Sequence, residues 1–244
     1  MSSFRERAFG VVVPSSNRVV ERTTEAVIGR FTGLAACYAR IPLWANGSGQ
    51  PADGYNVAAL DDAIELLRHA EVELICWNGT KGAGIGFTPD RDFCAAVKAR
   101  SGIAMVSTAL ATLDVLKLLG ARKIAIVSPL PRANINAMSV NFGKQGFDVV
   151  GELGMDLLDN FAFSTVAPDA IAAAVRAIHG QSRPDAILIF NTNFRGLSVM
   201  APLEAELGIP VLDSTAIGVW AVLTAMGVDL APAAPLGRLF TVTP

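Results

Sequence analysis

The sequence predicts an α/β protein that is built from two similar halves, each with its own parallel β-sheet. Short apolar runs alternate along the chain with segments of helical periodicity. Near-continuous apolar strands separated by helices are typical of a parallel sheet that is covered on both faces. The second observation behind this prediction is a repeated sequence pattern in the chain. The third is an apolar content of 52 % over 244 residues, which is enough for a sizeable core.

Strands and helices follow one another in a regular order. The first two strands, AFGVVVP and LAACYARIPL, each precede a helix whose apolar face recurs at helical spacing, through Val20, Thr24, Val27 and Phe31 in one and Leu60, Ile64 and Leu67 in the other. Further strands are predicted at VELICWN, IAMVS, KIAIVSP, FDVVGELGM, AILIFN and IPVLDS.

The repeat joins GIAMVSTALATLDVLKLLG (102–120) with GIPVLDSTAIGVWAVLTAMG (208–227). Two further pairs of segments match between the halves. VELICWN before the first copy matches AILIFN before the second, and GVVVPSSN matches IAIVSPLPRAN. Residues 1–112 with 217–244 are therefore predicted to form one half and residues 113–216 the other, with helices at 108–120 and 215–227 as crossovers. Because ligands bind beyond the carboxyl ends of parallel strands, we expect a site between the halves, under flexible loops at 44–56 and 82–90.

The composition narrows the class of function. The formal charge is −2 and no basic stripe occurs, so a nucleic-acid partner is not expected. Three cysteines at no metal-like spacing and two histidines predict no metal site. The charged start MSSFRERAFG and the absence of a long apolar run predict a cytoplasmic protein that does not span a membrane. The apolar content favours a homo-oligomer.

Polar residues at three strand ends are the candidate site. In PSSN (14–17), Ser15, Ser16 and Asn17 open a helix and suit a carboxylate, although a helix cap alone explains a serine there.

The stretch ELICWNGTKGAGIG (73–86) places Cys76 at the end of a strand, where it is either a nucleophile or a packing residue. Asn78, Gly79 and Thr80 follow it and offer donors for an oxyanion. Lys81 on the glycine-rich loop is expected to lie in solvent.

In FNTNFRG (190–196), Asn191, Thr192 and Asn193 hold the matching place in the second half. Their amides and hydroxyl are candidates to line the same site.

Together, GVVVPSSN, the polar strand ends near 76–80 and 191–193, IPVLDSTAIGVWAVL and a final GRLF resemble the aspartate/glutamate racemase superfamily, in its maleate isomerase and arylmalonate decarboxylase branch. The resemblance covers essentially the whole chain. It implies two flavodoxin-like halves, a small carboxylic acid as substrate, and no metal or organic cofactor.

Members of this superfamily place two residues, usually cysteines, at two strand ends on opposite sides of the substrate carbon. The resemblance assigns Cys76 and Asn191 to these catalytic positions, and Ser15, Asn17 and Thr80 to carboxylate binding. Asn191 departs from the pattern, since an amide does not exchange a proton near neutral pH, and two-base racemisation is therefore not expected. A tyrosine of the branch falls near Leu130, which has no hydroxyl.

The first catalytic position depends on the alignment. Matching the order of cysteine, glycine and hydroxyl places Cys76 at the strand end. Matching CWN to IFN instead pairs Asn78 with Asn191 and moves Cys76 into the strand.

Three functions remain open from the sequence. The first is a maleate-isomerase-like cis–trans isomerisation in which the Cys76 thiolate adds to an activated double bond. The second is decarboxylation of a substituted malonate, which needs only one proton donor. The third is a diverged enzyme or a carboxylate- or amide-binding protein, with Asn78 and Asn191 at its site.

Overall fold

A computed structural model describes residues 6–44 and 48–244. In these ranges the strands are Arg7–Pro14 (β1), Leu34–Ile41 (β2), Leu74–Trp77 (β3), Ala104–Ser107 (β4), Lys123–Ser128 (β5), Asp148–Gly154 (β6), Ala186–Ile189 (β7) and Val211–Asp213 (β8). The α-helices are Val20–Ile28 (α1), Val57–His69 (α2), Lys81–Ile85 (α3), Thr88–Ser101 (α4), Thr108–Leu118 (α5), Arg132–Lys144 (α6), Asn160–Phe163 (α7), Pro168–Ser182 (α8), Leu197–Leu207 (α9) and Ser214–Ala225 (α10). Two 3₁₀ turns, Ala231–Leu236 and Arg238–Thr241, follow.

The strands form two parallel sheets with the same internal order, which confirms the predicted two-half α/β fold. The first sheet has the order β2-β1-β3-β4 and the second β6-β5-β7-β8. In both sheets the first and third strands of the half are central. Their carboxyl ends therefore meet at one edge of each sheet, which is where polar strand ends were predicted.

The largest core cluster joins the two halves. Phe9 of β1 and Ile124 of β5 both belong to it, and α10 is buried along nearly its whole length. The opposite face of the first sheet packs on α2 and α4, and that of the second sheet on α8 and α9. The division of the chain at 112/113 and 216/217 stays a prediction. Across the described ranges, every helix is too short or too polar to cross a bilayer.

The two stretches expected to be flexible loops differ in outcome. Residues 45–47 of the first stretch lie outside the described residues, and Ser48 pairs with Trp44 in an isolated bridge. Residues 82–90 do not form the expected loop, because they fall in α3 and the start of α4. The side chain of Asn141 on α6 donates to the carbonyls of Ala83 and Gly84, at 2.9 and 3.0 Å, and so holds this glycine-rich helix in place.

Candidate active site

A cavity of about 660 Å³ opens at the carboxyl ends of the central strands of both sheets. Its polar wall comes from the ends of β1, β3 and β7, and this wall consists of Asn17, Gly79, Thr80, Lys81, Asn191 and Thr192. These residues follow three separate strands, so only the fold brings them together. The cavity therefore lies where the sequence predicts a site between the halves.

Asn17 combines a structural bond with a group that faces the cavity. Its Oδ1 accepts from the backbone N–H of Val19 and Val20, at 2.8 and 2.9 Å, and thereby satisfies the start of α1. Its Nδ2 donates to Oγ1 of Thr192 at 3.4 Å, across the two halves. With only 2 % of its surface exposed, Asn17 presents a fixed amide donor at the cavity wall.

The end of β7 supplies Asn191 and Thr192 to the cavity, whereas Asn193 turns away from it. The Oδ1 of Asn191 accepts from the backbone N–H of Asn193 at 2.8 Å, so its Nδ2 is the group left for the cavity. Asn193 Oδ1 accepts from the backbone N–H of Arg18 at 2.8 Å, and its Nδ2 donates to the carbonyl of Asn160. Asn193 thus joins the two halves instead of lining the site.

The sheet register settles which residues of the two halves correspond. The backbone N–H of Asn78 donates to the carbonyl of Val12 at 3.3 Å, and that of Phe190 donates to the carbonyl of Val127 at 2.8 Å. Val12 and Val127 hold the same place in their sheets, each paired with the last residue of the neighbouring strand. Asn78 is therefore equivalent to Phe190.

One residue further along, Gly79 is equivalent to Asn191. Neither alignment considered from the sequence matches this register, because Cys76 and Asn78 both lie before the position of Asn191. Glycine has a local reason here, since a Cβ on Gly79 would lie 2.6 Å from Cζ2 of Trp77. The indole ring of Trp77 lines the cavity beneath the strand end.

Cys76 does not reach the cavity, and its expected place at the site is corrected. Neighbouring side chains in a strand point to opposite faces. Cys76 packs in the core that joins the halves, whereas Trp77 packs against α2 and α4 on the other face of the sheet and also borders the cavity. Its Sγ lies 3.7 Å from the carbonyl oxygen of Gly218 on α10, and only 1 % of the residue is exposed. Burial raises the pKa of the thiol, which disfavours the thiolate.

We expect Cys76→Ala to leave turnover unchanged and to lower the free energy of unfolding by about 1 kcal/mol, because it removes one buried sulfur atom from the core. Cys94→Ala on α4 is the matched control, since Cys94 also does not line the cavity. Turnover and urea unfolding of both variants check this. Loss of turnover in folded Cys76→Ala alone would return the thiol to the reaction.

Three other residues that the sequence assigned to the site hold the surrounding backbone instead. The hydroxyls of Ser15 and Ser16 both donate to the carbonyl of Leu43, at 3.0 and 2.5 Å. Asn78 donates from Nδ2 to the carbonyl of Thr215 at 3.2 Å and accepts from Thr108 at 3.3 Å. Their hydrogen-bonding groups are used within the fold, and none of the three lines the cavity.

The second half supplies a mostly apolar wall opposite the strand ends. Leu130, at the end of β5, faces the cavity and has no hydroxyl, as the sequence predicts. The remaining side chains of this wall come from α6, from α7 and from the segment before α7, and they are Ala133, Asn134, Ala137, Met138, Leu158, Asn160 and Phe163. The cavity therefore has a polar side from three strand ends and an apolar side.

Lys81 is the only ionisable side chain among the described residues that line the cavity. A lysine on a glycine-rich loop is expected in solvent, but the structure places Lys81 at the cavity wall, at the start of α3. Its Nζ donates to the carbonyl of Pro51 and lies 5.6 Å from the centroid of the Tyr55 ring. Burial lowers the pKa of Lys81, and the nearby Asp53 carboxylate opposes this effect.

A buried acid supports this wall from behind. Asp90 has no exposed surface and accepts hydrogen bonds from the hydroxyls of Tyr55 and Ser107. The Nε1 of Trp77 donates to the Tyr55 hydroxyl at 3.3 Å. Burial raises the pKa of Asp90, while the two hydrogen bonds oppose that rise. The network fixes the Tyr55 ring beneath the ammonium of Lys81.

Known proteins resemble this chain over nearly its whole length. A family model described as arylmalonate decarboxylase matches residues 52–240. A maleate isomerase of Nocardia farcinica is 25 % identical over 241 residues, which is 96 % of this chain and 95 % of that protein.

Two solved structures share the fold. Nocardia farcinica maleate cis-trans isomerase, in a mutant with a covalently bound succinylcysteine intermediate, has a TM-score of 0.86 and 24 % identity, and the match covers 96 % of this chain and 98 % of that one. Arylmalonate decarboxylase has a TM-score of 0.81 and 18 % identity, and that match covers 96 % of this chain and 99 % of the other. Since the family model matches most of the sequence, the chain belongs to the arylmalonate decarboxylase family of enzymes.

Proposed function

We propose that the protein is an enzyme that acts on a small dicarboxylic acid, and that its reaction is the cis–trans isomerisation of a maleate-like diacid. One observation carries the substrate class. Amide and hydroxyl groups and the single cation Lys81 line the cavity, and no carboxylate is present among the described lining residues. Such a wall attracts an anion and has no acidic side chain to repel it.

The relatives support the choice of reaction. The curated relative from Nocardia farcinica is a maleate isomerase, and a second maleate isomerase, from Pseudomonas putida, is 26 % identical over 93 % of this chain. Maleate and arylmalonate both carry two carboxylates, so both relatives named here act on diacids. Isomerisation is the first candidate because the maleate isomerases are more similar in sequence, at 25 and 26 % identity, than the arylmalonate decarboxylase structure at 18 %.

The polar wall suits the charge that this reaction develops. Addition of a nucleophile to the double bond of maleate moves an electron pair towards one carboxylate, which becomes an enediolate. Donors that are already oriented stabilise such a charge without rearranging. Nδ2 of Asn17, after β1, and Nδ2 of Asn191, after β7, are donors of this kind.

Decarboxylation of a substituted malonate is the second candidate, and the absence of a thiol from the described cavity wall favours it. Loss of carbon dioxide creates the carbanion without a nucleophile, so that one proton donor completes the reaction. The ammonium of Lys81 is the acid that the wall offers for this step.

Proton NMR of the purified protein with maleate and, separately, with phenylmalonate tests the proposal. We expect conversion of maleate to fumarate, because the wall binds the diacid and stabilises its enediolate. Release of carbon dioxide and phenylacetate, without fumarate, would replace isomerisation by the second candidate. Saturable binding of either acid without turnover would contradict an enzyme and leave a binding protein.

A further inference from the structure

The cavity raises a chemical question that the fold alone does not answer. The isomerase neighbour is described with a covalently bound succinylcysteine intermediate, whereas the described cavity wall of this chain holds no cysteine. Cys76 is buried against Gly218 on the far face of β3. Isomerisation through a covalent adduct therefore needs a different nucleophile.

The side chains of the wall leave one choice. Amides such as those of Asn17 and Asn191 are not nucleophilic. The hydroxyls of Thr80 and Thr192 need a base to activate them, and no histidine, aspartate or glutamate is present among the described lining residues. A lysine amine, by contrast, is a nucleophile as soon as it has lost its proton. Lys81 carries the only amine among the described residues at the wall.

We propose that Nζ of Lys81 is the nucleophile of this cavity, and that it adds reversibly to the double bond of an unsaturated dicarboxylate such as maleate. The inference rests on the proposed isomerisation and deepens it. Its geometric basis is the position of Lys81 two residues after Gly79, on the polar wall to which Asn191 also belongs.

The step balances without any further reactant. The lone pair of the neutral amine forms a C–N bond, and the π electrons of the double bond move into the adjacent carboxylate to give an enediolate. The former double bond is then a single bond and can rotate. When the electron pair returns, the C–N bond breaks and the neutral amine and fumarate are released. No proton is gained or lost in these steps. The reaction therefore does not need an acid at position 191, where this chain has an asparagine.

The surroundings of Nζ act on its protonation in both directions. Its hydrogen bond to the carbonyl of Pro51 and its position over the phenol ring of Tyr55 favour the ammonium. The charged groups that face it are Asp53, which acts through space, and Asp90, which lies behind Tyr55. Burial lowers the pKa of Lys81, so more of the amine is neutral at a given pH than in an exposed lysine. Turnover should therefore rise with pH through the pKa of this amine.

Lys81→Arg is the variant that tests the nucleophile. Arginine keeps the positive charge but does not deprotonate, so kcat should fall by about 1,000-fold or more, while malonate still binds. Lys98→Arg on the exposed surface of α4 is the matched control and should keep full activity. Small primary amines added to Lys81→Ala should restore part of the turnover. Lys81→Arg with near-normal kcat would overturn the inference, because a cation alone would then suffice.

Two measurements keep this inference separate from the proposed reaction. Acid quenching during turnover protonates the enediolate carbon, and peptide mass spectrometry should then find one diacid added to Lys81. Competitive acetylation should show that the pKa of Lys81 lies below the ordinary value for a lysine, and that malonate protects Lys81. If maleate is not isomerised but Lys81 still shows the lowered pKa and the protection by malonate, the enzyme catalyses a different reaction and Lys81 is still its reactive amine. A Lys81 that labels like Lys98 and is not protected would contradict the inference, whatever the reaction.

Discussion

Asn17→Asp is expected to lower kcat/KM by about 100- to 1,000-fold and to change the free energy of unfolding by less than about 1 kcal/mol. The aspartate Oδ1 still accepts from Val19 and Val20, so the start of α1 is kept. Its second oxygen replaces the Nδ2 donor at the cavity wall and repels a carboxylate. The variant thus separates the two tasks of this one side chain.

Asn17→Ala is the companion variant, and it should lose both tasks. Without the cap, two backbone N–H groups at the start of α1 have no side-chain acceptor, which costs about 1–2 kcal/mol. Steady-state kinetics and urea unfolding of the two variants give the comparison. An Asn17→Asp enzyme that keeps its kcat/KM would show that the amide donor does not contact the substrate.

Asp213→Ala is expected to destabilise the fold by about 2–4 kcal/mol. Asp213 is fully buried at the end of β8, where its Oδ1 accepts from the backbone N–H of Ala216 at 2.8 Å and its Oδ2 from that of Gly196 at 3.1 Å. It therefore caps α10 and ties the loop after β7 to the sheet. Removing the carboxyl leaves two buried donors without a partner, as denaturant unfolding should show.

The same residue predicts how stability depends on pH. Burial raises the pKa of Asp213 from 3.8 to about 7, so between these values the folded state binds its proton more tightly than the unfolded state. Protonation of Asp213 therefore adds up to about 4 kcal/mol to the free energy of unfolding. This stabilisation is fully present below about pH 4 and is lost as the pH rises to 7.

Asp213→Asn supplies the control for this pH dependence. It removes the titrating group and should flatten this part of the stability curve between pH 4 and 7. Urea unfolding of wild type and variant at several pH values measures the difference between the two slopes. Equal slopes would contradict the assignment to Asp213.

The sequence was a good guide to the strands and to the two halves. Apolar runs such as KIAIVSP need no distant partner to be recognised, and the structure has a strand at each predicted run. The repeat also predicted two similar halves, and the two sheets have the same strand order. Local pattern was sufficient here because parallel strands buried on both faces are apolar throughout.

The sequence alone could not predict which residues at the strand ends of the two halves are equivalent. CWN and IFN look alike, but backbone hydrogen bonds to Val12 and Val127 set the register and shift it by one residue. Gly79 then takes the position that was predicted for Asn78 or Cys76. A shift of one residue reverses which face of the sheet a side chain occupies, and this is why Cys76 lies in the core.

The roles of the polar residues depended on partners far along the chain. Asn78 bonds to Thr215, 137 residues away, and Asn193 bonds to Arg18, 175 residues away. Neither partner is visible from local sequence. Lys81 was missed for the same reason, since a lysine beside glycines usually lies in solvent, and only the segment at Pro51 and Tyr55 places it at the wall.

The central claim is that the polar strand ends bind a dicarboxylate beside Lys81, and a crystal structure with bound malonate tests it most directly. We predict one carboxylate within hydrogen-bond distance of Asn17 Nδ2 and the ends of β3 and β7. The other carboxylate should contact Nζ of Lys81, released from the carbonyl of Pro51. Malonate bound away from this wall, or no binding at saturating concentration, would contradict the account.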